Sequence, residues 1–140
     1  MNVVLSKRAR KDLADVVVGW QPQITFTLEL LEYDTCPDAI LEGFTPKGQV
    51  QVKPITVTLK TVPTVRRIKF VNPDSPGKLE DKKAIGPYRI LYCVGKTIVY
   101  VMAIPDKNIV DPYTMHYISE LLKDYKEFRK RNRQATTKGK

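Results

Sequence analysis

Hydrophobic and polar residues alternate with period two in Ile55–Leu59 (ITVTL) and in Val65–Val71 (VRRIKFV), the pattern of half-buried strands. In the second run Val65, Arg67, Lys69 and Val71 share one face and Arg66, Ile68 and Phe70 the other, so a basic pair stands opposite a mostly apolar surface. Tyr88–Lys107, YRILYCVGKTIVYVMAIPDK, holds two apolar strands around Gly95-Lys96 and predicts a β-hairpin that exits at Lys107. Asn2–Leu5 is a further short apolar run, and it leads into Ser6, a suitable N-cap for the helix KRARKDLADV, where Ala9, Leu13 and Val16 recur at helical spacing. Gly19-Trp20-Gln21-Pro22 interrupts that pattern. Ile24, Leu28 and Leu31 at i, i+4 and i+7 then predict a second helix over ITFTLELLEYD. Asp111 and Pro112 read as an N-cap and first helical residue of a last helix running to about Lys130, with an apolar face of Ile118, Leu121, Leu122, Tyr125 and Phe128.

Between these elements, residues 35–54 hold three prolines and two glycines and read as connection rather than framework. Residues 72–87, NPDSPGKLEDKKAIGP, read as a long loop between strands, a kind of segment often used for function. The order predicts an α+β fold: an N-terminal strand and helical hairpin packed on a three- to five-stranded, mostly antiparallel sheet, with a C-terminal helix. One domain over residues 1–130 is expected, with 35–63 as a variable insertion and 131–140 as a basic, disordered tail.

Charge adds direction to that picture. The 140 residues carry a formal charge of +9, which favours a polyanionic partner such as nucleic acid or the ribosome. Residues 121–140 hold eight basic residues against two acidic ones, and such a run is either a solvated helix end or an electrostatic contact with RNA. The apolar runs are strand-sized, so a cytoplasmic protein with no membrane partner is expected. Cys36 and Cys93 form no CxxC and no zinc pattern with the single His116, so both read as free thiols and neither a metal nor a cofactor is expected. Paired carboxylates, a Cys-His arrangement and a glycine-rich phosphate loop do not stand out, which argues against glycosidase, thiol-protease and nucleotide-hydrolase chemistry. What remains is a basic and aromatic group, Lys107, Tyr113, His116 and Tyr117, suited to handling phosphate.

SKRARKDL at the start, VRRIKF, YRILYCVGKTIVYVMAI and the closing amphipathic helix together resemble the RelE/ParE toxin superfamily, most of all its HigB-like, phage-associated branch. The resemblance covers the chain to about residue 31 and again from 64 to 130. It implies a fold similar to microbial ribonucleases and a toxin of a type II toxin-antitoxin system, neutralised by a cognate antitoxin protein. Members of the RelE and HigB kind cut mRNA in the ribosomal A site without a metal and so inhibit translation. Members of the ParE kind poison DNA gyrase instead, and a non-enzymatic gyrase inhibitor or a phage protein binding a host factor is the alternative reading.

Metal-independent RNA cleavage uses the 2′ hydroxyl as nucleophile, so the protein must move protons and stabilise extra charge on phosphate. The family carries a basic residue after the last strand and a tyrosine six residues later, a spacing that Lys107 and Tyr113 match. Arginine is more usual at the first of these positions, and lysine lacks its bidentate fork. The resemblance implies His116 as a third catalytic residue and Arg67, Lys69 and Arg89 as phosphate ligands; Tyr117, one helical turn beyond Tyr113, reads as a base-stacking ring, and Arg129, Lys130 and Arg131 in the basic run as contacts to the RNA backbone. Each has a plainer reading: His116 as a partly exposed helix residue, Tyr117 as core, Arg67 and Lys69 as charges guarding a sheet edge, Arg89 paired with Glu80 or Asp81, and Arg129, Lys130 and Arg131 as a solvated helix end. Lys7, Arg8, Arg10 and Lys11 form a helix face that could touch ribosomal RNA.

Overall fold

A computed structural model describes residues 2–33, 45–47, 50–61, 63–78 and 82–132. It contains strands β1 (Asn2–Leu5), β2 (Thr45–Lys47), β3 (Val50–Thr58), β4 (Arg66–Val71), β5 (Ile90–Val94) and β6 (Ile98–Ala103), and helices α1 (Lys7–Asp15), α2 (Gln21–Tyr33) and α3 (Met115–Arg131). The strands form one sheet in the order β1-β6-β5-β4-β3-β2, antiparallel except where β1 runs parallel to β6. The fold is therefore α+β, as the pattern of elements predicts, with a short β2 extending the sheet.

One hydroxyl joins the first strand to the first helix. Ser6 Oγ accepts from Ala9 N at 2.9 Å, capping α1, and donates to Met102 O at 2.8 Å, fixing the cap to β6. Further along α1, Asp12 Oδ2 accepts from Ile104 N at 2.9 Å, just past the end of β6, so the helix is tied to that strand and to its exit. Gln21 Nε2 donates to Leu13 O and Val16 O, satisfying carbonyls at the end of α1. Accordingly α2 starts at Gln21, three residues before the apolar repeat, because Pro22 costs nothing in a first helical turn whose N–H groups lack intrahelical partners.

The sheet is covered on both faces. Trp20, Ile24, Leu28 and Leu31 pack with Ile68, Phe70, Ile90, Tyr92, Val99 and Val101 on the face of α1 and α2. Ile118, Leu121 and Tyr125 of α3 pack with Leu91, Cys93, Ile98, Tyr100 and Met102 on the other. Period-two alternation assigns these two sets, and on β4 the α3-side face carries Arg67 and Lys69, registered against Val57 and Ile55 of β3.

Two expectations change. Part of the 35–54 connection is strand: β3 begins at Val50, five residues before the alternating run, and β2 pairs with Val50–Val52. Pro54 concealed this, since a central strand does not tolerate proline. β2 ends opposite Val50–Val52, so among the described residues β3 is an edge at Pro54, where a missing N–H costs little. The last helix begins at Met115, capped by Thr114 Oγ1, which accepts from Tyr117 N at 3.2 Å. Asp111 makes a turn instead: its Oδ1 accepts from Tyr113 N at 3.0 Å, leaving Pro112 and Tyr113 ahead of the helix. The expected 131–140 tail and the 35–44 piece of the insertion lie outside the described residues, apart from Arg131 and Asn132.

Residues 82–88 run along the end of β4, where Val71 bridges Ala84 and Ile85 N donates to Phe70 O at 2.7 Å. Gly86 has φ +73°, and a Cβ there would stand 2.2 Å from the Trp20 ring. Trp20 in turn packs on Phe70 and Tyr88, with ring centroids 5.4 and 6.1 Å away. The elbow between the first two helices thus holds the approach to β5. Gly86→Ala combines left-handed strain with a clash against a buried ring, and should cost about 2–4 kcal/mol in urea unfolding. A loss below about 0.5 kcal/mol, the scale of an ordinary surface substitution, would refute the contact.

Burial raises the Asp12 carboxyl above its ordinary value, the bond from Ile104 and the charge of Arg8 acting the other way. An acid whose folded pKa is raised holds its proton longer in the folded chain, so its contribution is present at low pH and is lost as pH rises through the raised value. Asp12→Asn keeps an acceptor for Ile104 and has no proton to lose. Its urea midpoint relative to wild type should be higher at pH 7 than at pH 4, whereas Asp12→Ala should lose about 1–3 kcal/mol at both. A relative midpoint for Asp12→Asn that does not rise with pH would contradict this.

Candidate functional site

The open end of the β5-β6 hairpin is zipped beyond the strands themselves. Arg89 N donates to Pro105 O at 3.1 Å, Lys107 N donates to Pro87 O at 2.8 Å, and Tyr88 bridges Asp106. These bonds place Arg89, entering β5, beside Lys107, leaving β6. The Asp111 turn brings Tyr113 back to the same place, and Arg89 Nε donates to Tyr113 Oη at 3.0 Å. The Arg67 guanidinium, from the α3-side face of β4, lies 5.2 Å from the Tyr113 ring centroid, and Lys107 Nζ lies 5.6 Å from it. Three of the residues singled out in the sequence therefore surround the phenol of a fourth, Tyr113.

Three cations at one ring favour an anion. Among the described residues no carboxylate pairs with Arg67, Arg89 or Lys107; Glu80 and Asp81, the expected acidic neighbours of Arg89, lie outside them. Arg67 Nε is buried without a hydrogen-bond partner. A buried donor left unmade costs about 1–3 kcal/mol, a cost the fold bears beside the Tyr113 ring. Cation-π contact with Tyr113 holds Arg67 and Lys107 toward that place.

The remaining candidates sit elsewhere. Lys69 is 8% exposed and donates from Nζ to Lys82 O at 2.8 Å, which fastens the 82–88 segment to β4. His116, with 90% of its side chain exposed, stands 4.0 Å from Glu120 rather than with Tyr113, because the later helix start turns it outward. Tyr117 is packed under the Arg8 guanidinium, 5.6 Å from its ring centroid, and burial chiefly pushes its phenol up to about 12, helped by the charge of Asp12. The structure thus does not bring His116 or Tyr117 to the four-residue cluster. Arg129 lies over the Tyr125 ring and Lys130 beside Glu127, about 20 Å along α3 from its first residue at 1.5 Å per residue. Arg131, with Arg8 and Asp12, lines a groove of about 1020 Å³ between α1 and α3.

Sequence reading missed the inward role of Arg8 and the hold of Trp20 on Gly86. The lone Trp20 beside a turn was a signal only that something packs there; its partner is 66 residues away in sequence. Among the described residues no group of three His, Cys, Asp or Glu side chains is arranged to hold a metal ion, and no helix is long and apolar enough to cross a membrane. No family model, curated protein or solved structure matches the chain.

Binding of a 2′-deoxy oligonucleotide, titrated by fluorescence at several salt concentrations, checks the cluster as an anion site. Arg67→Ala and Lys107→Ala should each weaken binding and each reduce the slope of log K against log salt by about 0.7, the value for one lost contact on a single strand. His116→Ala should leave the slope as it is. Unchanged slopes in the first two variants would remove the anion site.

Proposed function

We propose that the protein is a metal-independent endoribonuclease of the RelE/HigB kind, the toxin of a toxin-antitoxin pair, that cuts mRNA on the ribosome. The observation that carries this reading is the convergence of Arg67, Arg89 and Lys107 on the Tyr113 hydroxyl and ring, at the exit of the last strand. The resemblance in SKRARKDL, VRRIKF and the Tyr88–Lys107 hairpin supports the same assignment, as does the spacing from Lys107 to Tyr113.

The chemistry follows from the residue types. The substrate's 2′ oxygen attacks the adjacent phosphorus, its proton passing to solvent or to the ribosomal surroundings. Charge gathers on the phosphoryl oxygens, where Arg67 and Lys107 oppose it. The bond from phosphorus to the 5′ oxygen breaks, and that oxygen takes the Tyr113 proton. The products are a cyclic 2′,3′-phosphate and a 5′ hydroxyl. Lys107 acts as a compact point charge rather than a fork, so it stabilises developing charge without fixing two oxygens at once. Basic residues remote from the cluster, Arg129, Lys130 and Arg131 on the last turns of α3, would lie on ribosomal or messenger backbone. An antitoxin would silence the protein by covering the cluster.

The separate position of His116 favours one second reading, a non-enzymatic inhibitor of gyrase on the same scaffold. Purified ribosomes translating a defined mRNA distinguish the two. The protein should yield new 5′ ends inside A-site codons, and Tyr113→Phe and Lys107→Ala should each lower the cleavage rate by about 100-fold or more. Intact mRNA together with inhibited supercoiling by gyrase would replace the ribonuclease with the inhibitor.

A further inference from the structure

Arg89 differs from the other cations of the cluster. It is 5% exposed, its Nη1 donates to Tyr88 O at 2.9 Å and to Gly86 O at 3.3 Å, and its Nε donates to Tyr113 Oη at 3.0 Å. A guanidinium clamps phosphate through two adjacent N–H groups that face the ligand. Here Nη1 is spent on the backbone and Nε on the tyrosine, so each adjacent pair has lost a member and only Nη2 remains for another acceptor. We propose that Arg89 is a positioning residue for Tyr113 and not a phosphate clamp, an inference that rests on the ribonuclease reading of the site.

The positioning works through the hydroxyl's single proton. Tyr113 Oη has one proton and two lone pairs, and Arg89 has no acceptor to offer. With Nε–H directed at one lone pair, the phenol proton is turned away from Arg89 and toward the open side of the hydroxyl. When the bond to the 5′ oxygen breaks, its electron pair takes that proton. The phenolate left behind keeps the Nε–H hydrogen bond, now between opposite charges, until solvent returns a proton. The fold sets this geometry before any ligand arrives: Trp20 holds Gly86, the carbonyls of Gly86 and Tyr88 hold Nη1, and the zipped hairpin end holds the Arg89 backbone against Pro105.

Arg89→Lys keeps the charge and loses the planar Nε–H, so it separates the two roles. Single-turnover cleavage of ribosome-bound mRNA should slow by about 100-fold, the scale of a general acid, with the half-saturating protein concentration unchanged within about threefold. In a Tyr113→Phe background the same change should add nothing, since both act through one hydroxyl. A phosphate ligand would instead raise the half-saturating concentration and add its effect to Tyr113→Phe, and either result overturns the proposal. If Arg89→Lys unfolds early in a thermal melt, Arg89→Gln carries the same comparison. Fluorine NMR of the protein with fluorotyrosine at position 113 reads the contact without any activity: Arg89→Lys should shift or split the resonance. An unshifted resonance refutes the positioning role, whereas a shifted one beside a wild type that cuts no mRNA refutes the ribonuclease reading alone.

Discussion

The backbone zipper at the open end of the β5-β6 hairpin is the interaction on which the candidate site depends. Hydrogen bonds from Arg89 N to Pro105 O and from Lys107 N to Pro87 O carry the pairing past the strand ends, into segments rich in proline. Proline donates no hydrogen bond but still accepts one through its carbonyl, so Pro87 and Pro105 can serve this pairing only as acceptors. The consequence is that backbone pairing makes neighbours of two cations 18 residues apart in sequence. Like charges brought together this way repel, and the folded chain bears that cost through backbone bonds that do not depend on what occupies the site.

The cations of the sheet divide by how they are satisfied. Lys69 and Arg89, both nearly buried, donate to backbone carbonyls, and burying a charge costs several kcal/mol unless such partners are supplied, by about the Born argument. They act as fasteners: Lys69 for the 82–88 segment, Arg89 for the tyrosine. Arg67 and Lys107 are held instead by the face of an aromatic ring, a contact worth about 0.5–2 kcal/mol, which orients a cation without neutralising it. A ring-held cation keeps its charge available to a ligand.

Local pattern made most of the fold legible. Ser6 before KRARKDL, the 3.6-residue repeats of α1, α2 and α3, and the alternation in β4 each reflect a choice made within a few residues, and the structure agrees with them. The misreadings came where a local signal depends on a distant one. Pro54 argues against a strand unless the strand is known to be an edge, and edge position is a property of the whole sheet. Asp111-Pro112 satisfies a helix start equally well as an Asx turn, and the Thr114 hydroxyl decides between them by capping three residues later. For the site, the meeting of Arg67, Arg89, Lys107 and Tyr113 is written in strand register and hairpin exit. The departure of His116 follows from a shift of the helix start that no spacing rule reveals.

That shift has a chemical consequence. Had the helix begun at Pro112, Tyr113, His116 and Tyr117 would have shared one helical face, since residues three and four apart are neighbours there. With Tyr113 on the turn, its hydroxyl is instead directed by a side chain from another strand, and His116 is left to Glu120, near Arg8 of α1. A site built on one helix would offer an imidazole able to give or take a proton near neutral pH. The site that forms offers a phenol whose oxygen accepts from a fixed guanidinium, flanked by two further cations. Such an arrangement is suited to donating one proton into a charge-rich phosphoryl transfer, and much less to abstracting one. On the ribonuclease reading proposed above, the fold would supply the acid half of the chemistry, and the base half would come from whatever surrounds the substrate.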